Sequence, residues 1–231
     1  MTPLWLSLTA PFAAFRWMQA GVWRGTSPVI PFSAAWGLIL NLAGIETRAS
    51  EPGETTLVKR DAPHLGIAIG SLRPDDVERS TIYQQLHSYP VGNSGKELKA
   101  RVHGQKYWIA PVRRELLVGF QAVLGVRTDR ALAQRVVDGL NGRLDGPRYG
   151  LPFAGDNNFL FDRIDVLTTP PKVRWYTPVK REQGARRGSC RLTIAIDRGD
   201  ASRTSGALFA PEDAESDEPP DEAWVTVPGE G

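Results

Sequence analysis

The chain has 231 residues, 41% of them apolar and 23% charged, which supplies a packed core and excludes wholesale disorder. One cysteine, Cys190, excludes an internal disulfide and, with only three histidines, argues against a structural zinc site. The net charge of +2 hides an asymmetry: residues 211–231 hold eight acids and no Lys or Arg, so residues 1–210 carry 28 bases against 18 acids, a net of +10. Such a body suits a phosphate polymer, while the tail reads as a polar or disordered appendage.

Leu4, Leu6 and Leu8 alternate with Trp5, Ser7 and Thr9, a half-buried strand starting almost at residue 1 and therefore expected inside the sheet. The apolar N-terminus lacks a basic start, and Pro11 and Arg16 interrupt it; residues 30–45 are too short and too punctuated to span a bilayer. A cytoplasmic protein without membrane contact is expected. Residues 10–29 read as a long loop carrying Phe15-Arg16-Trp17 and Trp23-Arg24. Ser33 is the expected N-cap of a helix over 34–42 ended by Gly44, and residues 46–60 read as a polar linker.

Residues 64–72 alternate as a second strand. From 75 to 110 periodicity fails and bases accumulate, so this stretch reads as an extended basic arm or hairpin inserted into the fold, and an insertion of that length usually has a function. Residues 115–124 are the strongest strand, and Asp129 is placed to cap a helix over 130–140 with Leu132, Val136, Val137 and Leu140 on one stripe. A glycine-rich loop, 142–155, leads to a strand over 159–167. The order strand, helix, strand, strand, helix, strand predicts an α+β fold with a ferredoxin-like (RRM-like) β-α-β-β-α-β core over 1–168 and a thumb-like insertion at about 78–110. Short strands at 173–176, 192–196 and 224–227 suggest a small C-terminal β subdomain, basic over 169–210 and acidic over 211–231.

The chain contains no G-x-x-x-x-G-K-[ST], strand-linked G-x-G-x-x-G, H-E-x-x-H or G-x-S-x-G pattern, so nucleotide-fuelled and common hydrolase chemistries are not expected. Asp156, Asp162 and Asp165 surround the last core strand, and Asp162 and Asp165, three apart in a strand, point to opposite faces, so no metal site is expected; no cofactor is expected either. Tyr83, His87 and Lys96 are the candidates for a metal-independent ribonuclease, in which histidine moves a proton and lysine steadies charge on phosphate. Three aromatic-basic clusters give a stronger signal, because rings stack bases and guanidinium forks grip phosphates. The first holds Arg16, Trp23 and Arg24. The second holds Lys99, Arg101, Lys106, Arg113 and Arg114. The third holds Lys172, Arg174-Trp175-Tyr176, Lys180, Arg181, Arg186, Arg187 and Arg191. Arg148 adds a base to the glycine-rich loop.

The opening LWLSLTAPFAAFRW, followed by GVWRGTSPVIPFSAAWGLILNLAGIE, resembles the start of the CRISPR-associated protein 5 family of the RAMP superfamily. The resemblance rests on Arg16, Arg24-Gly25-Thr26, Pro31, Ser33, Gly37, Leu38 and Leu42-Ala43-Gly44. QLHSYPVGNSGKELKARVHGQKYWIAPVRRELLVGF resembles the family's thumb returning into a core strand. The resemblance implies a subunit of a type I Cascade complex that grips the 5′ handle of crRNA. It would cap the backbone subunits and work beside the large subunit, reaching target DNA only through the complex. On this chain the handle contacts would fall on Arg16, Trp23, Arg24, Ser33 and the loop 142–155. One branch of the family cleaves pre-crRNA with a tyrosine, a lysine and a histidine. The neighbouring Lys-His pair expected for that chemistry is absent here, which favours binding over cleavage. A protein scaffold with incidental RNA contact is the third reading.

Overall fold

The computed structural model describes residues 3–49, 57–59, 61–75, 77–88, 108–180, 182 and 184–228. Its elements are β1 (Leu4–Ala13), β2 (Arg16–Ala20), β3 (Trp23–Thr26), α1 (Phe32–Leu42), β4 (Leu65–Ser71), β5 (Arg79–Ser88), β6 (Trp108–Arg127), α2 (Arg130–Leu140), β7 (Arg163–Leu167), β8 (Arg174–Pro178), β9 (Cys190–Ala195), β10 (Ser205–Pro211) and β11 (Val225–Val227). The 20-residue β6 organises the sheet. Its C-terminal half lies between β1 and β4, and its N-terminal half between β3 and β5. β7, β1, β6 and β4 lie side by side, each antiparallel to its neighbour, with α1 linking β1 towards β4 and α2 linking β6 to β7. The fold is α+β and broadly consistent with a ferredoxin-like arrangement.

The core follows from alternation. Leu6, Leu8 and Ala10 of β1 and Phe120, Ala122, Leu124 and Val126 of β6 are buried on one face, against Phe32, Ala35, Ile39 and Leu42 of α1 and Leu132 and Val136 of α2. Around Phe12 and Val118 the two paired strands change phase together, so that Ala13 and Leu117 rejoin the same core. Asp129 caps α2, its Oδ1 accepting from Leu132 N at 2.8 Å. α1 begins differently from the sequence expectation: Pro31 is its N-cap, no side chain caps it, and Ser33 sits inside the first turn.

The opposite face of the sheet carries a second core of Trp5, Ala68, Val123, Val173, Trp175, Ala223 and Trp224. Trp5 stands 5.9 Å from Trp175 and 6.0 Å from Trp224, ring centre to ring centre. Gly125 makes this possible, because a Cβ there would lie 2.5 Å from the Trp5 ring and 2.8 Å from that of Trp224. The acidic tail is thus not an appendage. Asp221–Ala223 forms a 3-10 turn that buries Ala223, and β11 pairs antiparallel with β4.

Three further expectations change. Residues 10–29 are not a loop: β1 runs to Ala13, and β2 and β3 form a hairpin around Gly21-Val22. The last core strand begins at Arg163 rather than 159. β10, absent from the sequence reading, joins β8 to β9. The base of the inserted arm is a ten-pair β5–β6 ladder from Arg79↔Leu117 to Ser88↔Trp108. Residues 89–107 lie outside the described residues. Among the described residues, no helix is long and apolar enough to cross a membrane.

Candidate nucleic-acid interface

The β2–β3 hairpin is fixed to β6 by a carboxylate. Glu115 Oε2 accepts from Thr26 N at 2.9 Å and from Arg79 Nη1 at 3.1 Å, while buried Thr26 Oγ1 accepts from Phe15 N at 2.9 Å. β3 then runs parallel to β6 with Trp23 beside Arg113 and Arg24 beside Arg114. Residues in register on neighbouring strands share a face, so Arg24 and Arg114 lie on one side and Trp23 and Arg113 on the other. Arg16, in register with Thr26 on β2, joins the first side.

This arrangement concentrates charge. Burial, followed by the positive charges of Arg16 and Arg24, pushes the Arg114 guanidinium below its usual value. Arg114 pairs with Asp156, and each side chain is only 13% exposed. Arg24 Nη1 donates to Gly21 O at 2.7 Å and to Trp23 O at 3.2 Å, which holds it over the hairpin turn. Among the described residues, neither Arg16 nor Arg24 has a carboxylate within salt-bridge distance. Three guanidiniums thus share one carboxylate, which leaves the face short of negative charge and suited to phosphate.

The end of the glycine-rich loop supplies that carboxylate. Ala14 N donates to Ala154 O at 2.9 Å, and Gly155, at φ +81°, passes so close that a Cβ would stand 2.4 Å from Ala14 O. Asp156 is thereby brought onto Arg114. An open cavity of about 410 Å³ lies beside it, lined by Gln84, Gln85, Arg114, Asp156, Asn157 and Asn158. Sequence reasoning named Arg114 as a base here and Asp156 only as one of a few scattered carboxylates. The run Asp156-Asn157-Asn158 directly after a glycine was the available signal.

On the other side, Arg113 Nε donates to Tyr83 OH at 2.5 Å and its guanidinium sits 5.1 Å from the ring centre. Tyr83 is 69% exposed and Trp17 is 45% exposed, while Trp23 is half-buried, so stacking surface borders the arginines. Arg79, missed in the sequence, belongs to the same framework through Glu115.

Other candidates land elsewhere. Trp175 and Tyr176 are buried and do not stack bases, which corrects the reading of the third cluster. Arg186 lies 3.6 Å from Glu212 and donates to Thr177 Oγ1 at 3.0 Å; Arg187 lies 3.5 Å from Asp75, which also pairs with Arg174. Lys180 is exposed, Arg148 is half-buried in the loop after α2, and Ser33 is half-buried in α1. Phe120 packs against Phe15, their ring centres 5.1 Å apart, inside the core and offers no sheet-face stacking surface. Lys96, Lys99, Arg101, Lys106 and Arg181 lie outside the described residues. The backbone of His87 pairs with Ile109 in the arm. Asp162 precedes β7, and Asp165 lies 3.6 Å from Arg163. Among the described residues, no group of three or more His, Cys, Asp or Glu side chains is gathered as metal ligands.

No family model matches the sequence, and no curated protein matches it. Among solved structures, a chain from a CRISPR RNA-guided surveillance complex superposes with a TM-score of 0.58 at 13% identity, covering 93% of this chain and 90% of that one. This chain has the fold of that protein. A looser similarity, to a crystal structure of a Cas protein, has a TM-score of 0.43 at 14% identity and covers 93% of each chain.

Proposed function

We propose that this chain is a non-catalytic crRNA-binding subunit of a type I CRISPR surveillance complex, similar to the CRISPR-associated protein 5 family. The observation that carries the reading is the face shared by Arg16, Arg24 and Arg114, three guanidiniums with a single carboxylate among them. Arg16 and Arg24 would each take a phosphate of the 5′ handle. Half-buried Trp23, next to Arg24 on the same hairpin, would stack an unpaired base. Asp156, by holding Arg114, would set the position of the third guanidinium without cancelling the field of the other two.

In this reading residues 1–168 form the RNA-binding domain, and the arm at about 78–110 is a thumb that reaches the neighbouring backbone subunit. Residues 169–210 form the C-terminal β region and 211–231 its acidic continuation. The large subunit and target DNA are met through the assembled complex in the cytoplasm, and no cofactor is required. The similarity of fold to a protein from a CRISPR RNA-guided surveillance complex supports the setting.

The cleavage reading has one observation in its favour: exposed Tyr83, whose phenol oxygen accepts from Arg113. One experiment separates the two. The protein is incubated with labelled CRISPR-repeat RNA in EDTA, and binding and cleavage are read on the same gels. The binding reading expects a retarded, uncut RNA, with affinity reduced about tenfold in Arg16→Ala and in Arg24→Ala. Cut RNA that stays whole in Tyr83→Phe would establish the nuclease instead. Unchanged affinity in both arginine variants would overturn the handle assignment.

A further inference from the structure

A second, larger cavity of about 520 Å³ opens on the far side of the hairpin, walled by β2–β3, the β4–β5 connection and the β9–β10 edge. Its volume is that of a small-ligand site. Trp17 and Leu208, 45% and 38% exposed, provide an apolar wall at its rim. Arg79 and Arg191 provide positive charge. Arg79 is held in place by Glu115 and by Thr26 O. Arg191 is exposed and, among the described residues, has no carboxylate partner.

Among the described residues, the one carboxylate in the lining, Asp75, is already met by Arg174 and Arg187. The cavity is therefore net positive, and Asp75 does not cancel Arg79 or Arg191. Ser27 lies in the wall at 1% exposure, its Oγ enclosed and, among the described residues, without a hydrogen-bond partner. Burial pushes the neighbouring Cys190 thiol up to about 12, so it is a neutral part of the wall at physiological pH. The opposite rim is rigid: Ser189 Oγ accepts from Arg186 N at 2.9 Å, and Arg186 is tied to Glu212.

An aromatic platform and two arginines around such a volume are the groups that recognise one nucleotide. We infer that this cleft binds a nucleoside 5′-phosphate, with the base on Trp17 and the phosphate on Arg191 and Arg79. The unit comes either as a free nucleotide or as the 5′ end of an RNA. In the second case the inference rests on the RNA-binding reading above; in the first it stands apart from it.

The test uses the full chain and three probes: adenosine 5′-monophosphate, a short single-stranded RNA with a 5′-phosphate, and the same RNA with a 5′-hydroxyl. Binding is measured calorimetrically for the wild type, Trp17→Ala and Arg191→Ala, both substitutions at exposed positions. A free-nucleotide site is established if the monophosphate binds and each variant weakens it about tenfold. An RNA-end site is established if only the RNAs bind, the 5′-phosphate form binds tighter, and each variant abolishes that preference. No monophosphate binding together with equal affinity for the two RNAs overturns the inference, as does a monophosphate affinity or 5′-phosphate preference that neither variant changes. Loss of overall RNA affinity in Arg16→Ala reads the other face, so failure of one assignment is distinguishable from failure of the other.

Discussion

Two parts of this molecule look alike in sequence and differ in what the fold does with them. The first, Arg16-Trp17 and Trp23-Arg24 with Arg113-Arg114, is brought onto one hairpin and one strand, where Arg16 and Arg24 lack carboxylate partners among the described residues. The second, residues 172–191, has Trp175 and Tyr176 in the core and Arg174, Arg186 and Arg187 matched to Asp75, Glu212 and Asp213. The acidic tail, which offsets the basic body in the charge count, meets Arg174 and Arg186 here and Arg127 on β6, and among the described residues it forms no ion pair with Arg16 or Arg24. Net charge alone says little about where phosphate binds; the partners of each guanidinium decide.

The comparison breaks most visibly in stability. Trp175→Ala removes a fully buried ring from the second core and is expected to cost about 3–5 kcal/mol, read by urea unfolding. If that loss were absent, Trp175 would belong with the exposed aromatics of the first region. Gly125→Val forces a side chain into the space of Trp5 and Trp224 and is expected to cost about 1–3 kcal/mol in the same assay.

A smaller effect sharpens the contrast between the arginines. Arg174→Ala leaves Asp75 with the more distant Arg187 and is expected to lower stability by about 1–2 kcal/mol. Arg16→Ala is expected to change stability by less than about 0.5 kcal/mol, because its side chain is exposed. A further small effect lies outside both regions. Arg48 beside Glu46 holds that carboxyl down at about 2, from 4.5. A depressed carboxyl contributes stability above its unfolded value, so the contribution is whole above pH 4.5 and fades as pH falls towards 2. The pair is open to solvent, so the contribution is under about 1 kcal/mol. The stability difference between wild type and Glu46→Gln, measured at pH 7 and pH 3, should shrink at the lower pH.

Much of the central sheet was legible because its strands alternate and its second helix has a capping aspartate. Leu6, Leu8, Leu124 and Val136 lie where periodicity places them. The β2–β3 hairpin was not legible, because RWMQAGVWRGT mixes aromatic and basic residues without an apolar stripe, and its strands are held by Glu115 from a distant part of the chain. The tail was misread for a related reason. Its acids mark it as solvated, yet Ala223, Trp224 and Val227 dock by packing that composition does not record. Arg16, Arg24 and Arg114 were legible as bases but not as neighbours, since their meeting depends on the parallel register of β3 against β6. Asp156 was legible only as one of a few scattered carboxylates, because the approach of Gly155 to Ala14 is a tertiary fact.

The central claim is that Arg16 and Arg24 of the hairpin face, and not Arg186 and Arg187 of the C-terminal basic stretch, hold the RNA handle. It is tested most directly by the salt dependence of single-stranded RNA binding in the wild type, the Arg16→Ala/Arg24→Ala double variant and the Arg186→Ala/Arg187→Ala double variant. Each phosphate contact to a single strand contributes about 0.7 to the slope of log affinity against log salt. The first double variant should therefore lose about 1.4 from that slope, and the second should keep the wild-type value. An unchanged slope in the first, or an equal loss in both, would contradict the account.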